Sequence, residues 1–291
     1  MKVDQWEVCM NAAQEIVLSS ANGILQNQVD QWHNKGYFIV KGVNLPGEVG
    51  ALKYASRQAE DINDDRFFGE YDGRARTVWS PHWEDWGDWL ESYARNNPVL
   101  PLVKYLMGGQ VYINQLHFNY KLANGGGAFG WHSDYTVFKY HDKWQNMNGL
   151  SVFYLLDDMN ETNGQFHFAP GSHKVDLQLQ EGFDLPDSFT HAEYGDNPSH
   201  DRGSTSSDTF TAPSYVGGPA DGPTYPIERI EAKAGDALIF HSNVWHMSPK
   251  NLSTKDRRTF CVCYNHIDNK TQWPITNDRK PWMTLKDFTP I

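Results

Sequence analysis

The run Val111-Tyr112-Ile113-Asn114-Gln115-Leu116-His117-Phe118-Asn119-Tyr120 is rich in residues that favour a pleated, half-buried strand. It marks a change of texture along the chain. Downstream, Gly125-Gly126-Gly127 makes a turn, and further short strands are expected at 132–138, 150–156, 166–169, 236–241 and 259–264. Turn residues separate them and helical periodicity is missing between most, the pattern of a sandwich or barrel. Upstream the texture is helical. A helix is expected over 26–35, stopped by Gly36, and then a short strand over Tyr37-Phe38-Ile39-Val40. A second helix starts at Pro46, and a third follows Pro98, where Leu100, Val103, Leu106 and Met107 recur at helical spacing.

The 291 residues would allow two domains at about 150 residues each. We read one instead, over 1–291, with a helix-rich part (1–109) and a β core (110–291). The polar stretch 175–229, rich in Ser, Gly, Pro and Asp, is an insertion in that core rather than a linker. No repeat with a period of about 20 to 50 residues is visible. With 25 basic against 36 acidic residues the net charge is −11, which repels phosphate backbones and anionic lipid. Nucleic-acid and membrane partners are not expected, and a small-molecule substrate is. No run of 18 apolar residues is present. Three cysteines make no disulfide framework, and the first residues lack a secretory pattern, so a cytoplasmic location is expected. Oligomeric state leaves no trace in the sequence. The unusual quantity is the aromatic load, 14% of the chain, part of it in a cluster at Trp79, Trp83, Trp86 and Trp89.

Four triplets fit His-x-Asp/Glu: His82-Trp-Glu84, His132-Ser-Asp134, His191-Ala-Glu193 and His266-Ile-Asp268. On a strand, residues i and i+2 share a face, so each pair is able to aim an imidazole and a carboxylate at one ion. The ordinary reading of any single triplet is a surface or packing pair. Context separates them. His132-Ser-Asp134 follows the β-rich run and has Trp131 and Tyr135 beside it. Downstream come a turn at Gly235-Asp236, a buried strand, His246, and then Arg257 entering the next strand. Two His and one carboxylate with open positions make the facial donor set of non-haem iron oxygenases, and an Arg fork suits the distal carboxylate of a 2-oxo acid.

These stretches, with Asn163-Gly-Gln-Phe-His-Phe-Ala-Pro-Gly-Ser-His173, resemble the phytanoyl-CoA dioxygenase superfamily of Fe(II)/2-oxoglutarate oxygenases. Within it the sequence is most similar to the group of ectoine hydroxylase and bacterial leucine hydroxylase. The resemblance implies a mainly β fold with flanking helices, a double-stranded β-helix or jelly roll of cupin-like form. It implies iron held by His132, Asp134 and His246, with 2-oxoglutarate and O2 as co-substrates. By the same resemblance Arg257 holds 2-oxoglutarate, with Asn119, Ser151 and Thr259 near it. Alternation favours Arg257 over its neighbour Arg258, and Ser248 and Asn251 favour His246 over His241. Gln115, His117, Phe138 and Phe240 are the substrate candidates. His117 stands where ectoine hydroxylase has Arg, and Phe138 where it has Trp, so a substrate other than ectoine is expected.

The reaction implied is oxidative decarboxylation of 2-oxoglutarate coupled to hydroxylation of an unactivated C–H bond. The expected substrate is a small polar molecule, a free or cyclic amino acid or a related zwitterion. A natural-product oxygenase acting on a larger scaffold, by hydroxylation, desaturation, epoxidation or ring formation, is the alternative. A non-catalytic β-sandwich binding module is a third reading, against which the intact ligand set argues. Cys261 and Cys263 read as buried packing thiols.

Overall fold

The computed structural model describes residues 21–62, 66–70, 72–79, 88–176, 207–213, 221–272, 284–285 and 287–291. Helix α1 (Ala21–Lys35) ends at Gly36, whose positive φ of 84° suits only glycine and which turns the chain into β1 (Tyr37–Val40). A Cβ there would also meet the His173 ring at 2.5 Å. Helix α2 (Pro46–Glu60) opens with proline, and the Glu48 carboxylate accepts the Leu45 amide at 2.7 Å. After β2 (Phe67–Gly69) and β3 (Ala75–Trp79), helices α3 (Asp88–Asn96) and α4 (Leu100–Met107) lead into β4 (Val111–Lys121). There follow β5 (Phe129–His132), α5 (Asp134–His141), β6 (Gly149–Leu155), β7 (His167–Phe168) and a single 3-10 turn, Ser172–Lys174. Among the described residues the later elements are strands: β8 (Thr209–Thr211), β9 (Thr224–Pro226), β10 (Glu228–Arg229), β11 (Ala237–His241), β12 (His246–Ser248) and β13 (Arg257–His266).

A seven-stranded sheet in the order β1-β11-β6-β13-β4-β3-β2 faces a four-stranded sheet in the order β10-β7-β12-β5, and β8 and β9 form a separate hairpin. All the pairings are antiparallel, and the two sheets make a jelly roll. The central pair, β4 and β13, runs in register from Arg257 opposite Lys121 to Cys263 opposite Gln115, and a bulge then shifts the pairing so that Tyr264 meets Ile113. Between Gln115 and Lys121 the side chains alternate strictly. Leu116, Phe118 and Tyr120 join a core with Trp32, Leu52, Tyr93 and Val103 of helices α1 to α4. On the other face a second core, with Phe153, Phe166, Phe168, Leu238, Phe240 and Cys261, fills part of the space between the sheets.

One expectation is corrected and two gain detail. The run 132–138 is not one strand: it ends at His132, and a helix begins at Asp134. The N-terminal part contributes β2 and β3 to the large sheet, so the helices and the β core are not divided at residue 109. Within 175–229 the hairpin β8–β9 and the strand β10 give the insertion regular structure, while 177–206 and 214–220 lie outside the described residues. Among the described residues no helix is long and apolar enough to cross a membrane.

At the junction of α1, β11 and the 3-10 turn, His241 lies between Trp32 and His173, with ring centroids 5.2 and 5.3 Å away. Burial pushes His241 down to about 3 and His173 down to about 4. Unfolding frees both rings to take protons near the ordinary value of about 6.5. Between these values the unfolded chain binds more protons, so stability rises with pH and is lost as pH falls below about 6.5. His241→Asn keeps an acceptor for the Asn243 amide, which donates to His241 Nδ1 at 3.0 Å. Denaturant titrations at pH 4.5 to 6.5 are expected to give a slope shallower than wild type by up to about 1.4 kcal/mol per pH unit. Equal slopes would show that this ring is not what acid attacks.

Candidate metal centre

His132 on β5 lies directly opposite His246 on β12. Such cross-strand partners share a face, and the two ring centroids are 4.3 Å apart. Ser133 then leaves the strand and caps α5, its hydroxyl accepting the Thr136 amide at 3.2 Å. Asp134 is therefore the first residue of a helix, and its carboxylate reaches the imidazoles by a turn rather than by strand alternation. Asp134 Oδ1 is 3.7 Å from His132 Nε2 and 3.8 Å from His246 Nε2. Among the described residues this is the one group of His, Cys, Asp or Glu side chains placed to hold a metal ion.

The surroundings fix the protons. His132 Nδ1 lies 2.7 Å from Gly130 O and His246 Nδ1 3.0 Å from Val244 O. A carbonyl only accepts, so each Nδ1 carries the hydrogen and each Nε2 turns its lone pair towards Asp134. Burial pushes His246 down to about 4, which keeps it neutral and able to ligate. Burial raises the Asp134 carboxyl, opposed by His132 and by the Ser151 hydroxyl, which donates to Oδ2 at 2.7 Å. One donor atom from each side chain lies within 4.8 Å of the others, close enough for side-chain adjustment to gather them around one metal ion. The donor set fits a divalent transition metal with positions left open.

The three side chains line a cavity of about 110 Å³ between the sheets. Gln115, His117, Asn119 and Lys121, every second residue of β4, form one wall. Phe138, Phe153 and Phe166 add an apolar surface. Arg257 enters from β13, 2% exposed. Its Nη2 donates to Gly164 O at 2.7 Å, its Nε has no hydrogen-bond partner, and it forms no ion pair among the described residues. Burial lowers its pKa to about 10. A buried guanidinium lacking a counter-ion is a receptor for an anion, and its planar fork suits a carboxylate. Arg258, on the other face of β13, is bound to Glu60, Asp157 and Asp256.

The structure brings Gln115, His117, Asn119, Phe138 and Arg257 together with the metal candidates and leaves three expected residues outside the cavity. Ser151 lies behind Asp134 and bonds to its carboxylate, which places it as support for a ligand rather than as a contact of a co-substrate. Thr259 is fully buried with its hydroxyl 3.4 Å from Cys261 Sγ. Phe240 is fully buried behind His246, its ring centroid 4.8 Å from the imidazole. His241 is turned away towards Trp32, and the His266–Asp268 pair ends in an Asp268 side chain 88% exposed. His82, His191, Trp83 and Trp86 lie outside the described residues. Of the remaining tryptophans, Trp79 lines the cavity, 4.6 Å from the His117 ring, and Trp89 packs with the helices.

Lys121 was not anticipated. Its Nζ donates to Gly127 O at 2.6 Å, Pro249 O at 2.7 Å and Ser248 O at 3.3 Å, and burial with Arg257 and Arg76 nearby holds its pKa well below the usual lysine range. Gly164, at φ 81°, is required beside it, since a Cβ there would lie 2.5 Å from Lys121 Cδ. The signal was available: Lys121 continues the same-face series of Gln115, His117 and Asn119. Cys263 also lines the cavity, its Sγ 3.3 Å from Ser151 Oγ, while Cys261 packs between the sheets.

The family model described as phytanoyl-CoA dioxygenase matches residues 32–259. The L-proline trans-4-hydroxylase of Streptomyces griseoviridis is 29% identical over 195 residues, covering 66% of this chain and 68% of that protein. An ectoine dioxygenase of Nocardia farcinica is 25% identical over 271 residues, covering 91% and 86%. The crystal structure of EctD from S. alaskensis with 2-oxoglutarate and 5-hydroxyectoine shares the fold, with a TM-score of 0.67 at 21% identity over 89% of this chain and 82% of that one.

Ser151→Ala removes the donor on the outer oxygen of Asp134 and is expected to raise the dissociation constant for Co(II), read from its visible spectrum, by about 10- to 100-fold. An unchanged constant would mean that the hydroxyl does not orient the carboxylate.

Proposed function

The chain belongs to the phytanoyl-CoA dioxygenase family and is a 2-oxoglutarate-dependent iron dioxygenase, and we propose that it hydroxylates an unactivated C–H bond of a free or cyclic amino acid or a related small zwitterion. The observation that carries the site assignment is the pairing, in one small cavity, of the His132–Asp134–His246 cluster with the counter-ion-free Arg257. In this reading His132 Nε2, Asp134 Oδ1 and His246 Nε2 hold Fe(II). Iron, 2-oxoglutarate and O2 together supply an oxidant strong enough for an unactivated C–H bond, with release of succinate and CO2.

The protein's own residues do the rest. Arg257 binds the distal carboxylate of 2-oxoglutarate, and Lys121 lends positive potential from the same wall. The Asn119 side chain is held by the Thr77 hydroxyl, which donates to its Oδ1 at 2.9 Å and leaves its amide NH2 for the co-substrate. Gln115 is 2% exposed and its Nε2 has no hydrogen-bond partner among the described residues, so it offers a donor to a carbonyl or carboxylate of the substrate. His117, packed at a tilt of 46° against Trp79, lies two residues along the same face. Phe138, Phe153 and Phe166 keep water away from the reacting carbon. The similarity to a proline hydroxylase and to ectoine dioxygenases favours a small substrate over a large natural-product scaffold.

Anaerobic addition of Fe(II) and 2-oxoglutarate is expected to produce the weak visible charge-transfer band of the chelate, and His132→Ala to abolish it. Arg257→Ala should weaken 2-oxoglutarate binding by about 10- to 100-fold, the value of losing a charge-assisted bond, whereas Arg258→Ala should leave it unchanged. A screen of free amino acids and small zwitterions, read by succinate release and by mass spectrometry for one added oxygen, identifies the substrate. Absence of both band and succinate in the wild type would refute the reading.

A further inference from the structure

The hairpin β8–β9 has no strand pairing with either sheet, yet one of its side chains reaches the back of the metal centre. Because His132 and His246 point inward, the residues before them, Trp131 and Trp245, point to the opposite face of the small sheet. The Phe210 ring of β8 lies between those two indoles. It stacks on Trp131 at 4.2 Å between centroids and 20° between planes, and packs at a tilt against Trp245 at 5.4 Å and 34°. Tyr140 of α5, the helix that starts with Asp134, packs into the same cluster with Ala169 and Tyr225. One aromatic cluster thus backs all three elements that carry the candidate ligands.

Those elements need backing. β5 is four residues long and lies at the edge of its sheet, paired on one side only, and its register with β12 shifts between His246 and Ser248. Few ladder bonds therefore set the separation of the two imidazoles. The cluster is itself tied down. The Trp245 amide donates to Ser172 Oγ at 2.9 Å, and the Asn243 amide group donates to Val175 O at 2.7 Å and His173 O at 3.1 Å. On the far side of the hairpin, Arg229 donates to Ser207 O at 2.8 Å and pairs with Asp208 at 3.2 Å.

We propose that Phe210 is a positioning residue of the metal centre, a wedge from the inserted hairpin that holds Trp131 and Trp245, and through them His132 and His246, at the separation a metal ion requires. The inference rests on the iron reading of the site. It gives the hairpin a task in the reaction although it supplies no ligand.

The test is Phe210→Ala, with Phe210→Tyr as the conservative variant and Thr211→Val as a hairpin control. Thr211→Val removes an exposed hydroxyl pair with Thr224 but leaves the ring in place. Each protein is titrated anaerobically with Fe(II) at saturating 2-oxoglutarate, following the charge-transfer band, and its metal-free unfolding midpoint is measured separately. Phe210→Ala is expected to raise the iron dissociation constant by about 10- to 100-fold and to shift the band. Phe210→Tyr should restore both, and Thr211→Val should match wild type. Wild-type affinity and band in Phe210→Ala overturn the inference, as does an equal loss in Thr211→Val. Phe210→Leu, judged by the same readings, replaces the alanine variant if truncation costs the fold. A wild type that gives no band at all refutes the iron reading, whereas a band common to wild type and Phe210→Ala refutes only the wedge.

Discussion

The register between β4 and β13 is the constraint from which the site follows. Opposite Gln115, His117, Asn119 and Lys121 stand Cys263, Cys261, Thr259 and Arg257, and all of them turn away from the N-terminal helices. A slip of one residue would drive Leu116, Phe118 and Tyr120 into the cavity and force Lys121 and Arg257 against a helix-lined apolar core. Full burial of each large apolar side chain contributes on the order of 1.5 to 3 kcal/mol. The helix-side core therefore enforces the register, and the register presents the polar residues to the space between the sheets. Packing on one face of the sheet is what makes chemistry available on the other.

Burial then sets the electrostatics. Lys121 and Arg257 line one cavity, and the carboxylate lining it among the described residues is Asp134, already engaged by Ser151. Three backbone carbonyls satisfy the lysine, but Arg257 keeps an unpaired Nε. Arg257, a buried cation with an incomplete set of partners, favours an anionic ligand such as a carboxylate of 2-oxoglutarate. At the metal candidates the logic is reversed: burial keeps His246 neutral, and the backbone carbonyls fix the ring tautomers. One cavity thus carries an anion receptor beside a set of neutral and anionic donors for a metal.

Much of this was legible because strands and cross-strand pairs leave a period of two in the sequence. Val111–Lys121 and the strand carrying Arg257 announce themselves by β-forming residues, and the choice of Arg257 over Arg258 follows from alternation alone. The mistaken strand over 132–138 arose because Tyr135, Val137 and Phe138 are β-formers, while the capping Ser133 that starts a helix is a local signal of one residue. Lys121 escaped because lysine at a strand end ordinarily reaches solvent, and its burial depends on Gly127, Ser248 and Pro249, far apart in sequence. Ser151 and Phe240 were placed near the site, but no pattern separates touching a substrate from standing behind a ligand. β2 and β3 are short, and their membership of the large sheet is decided by pairing with β4.

The substrate side carries the last step. Its polar groups on β4, Gln115 and His117, are close to the metal candidates and separated from the cationic residues Lys121 and Arg257 by the length of Asn119 alone. A ligand carboxylate entering the cavity therefore has two candidate receptors, and the charged one is the stronger by its unscreened potential. On the proposed reading, in which Arg257 takes 2-oxoglutarate, the donors near the substrate are Gln115 and His117, so shape and hydrogen bonds weigh more than charge in ranking a substrate. Rejection of near-misses is strongest where a buried donor would be left unpaired. Gln115 Nε2, buried and without a hydrogen-bond partner among the described residues, is such a donor. With Phe138 and Trp79 as walls, the described cavity selects for a compact molecule that presents an acceptor to Gln115 and a C–H bond to the metal side.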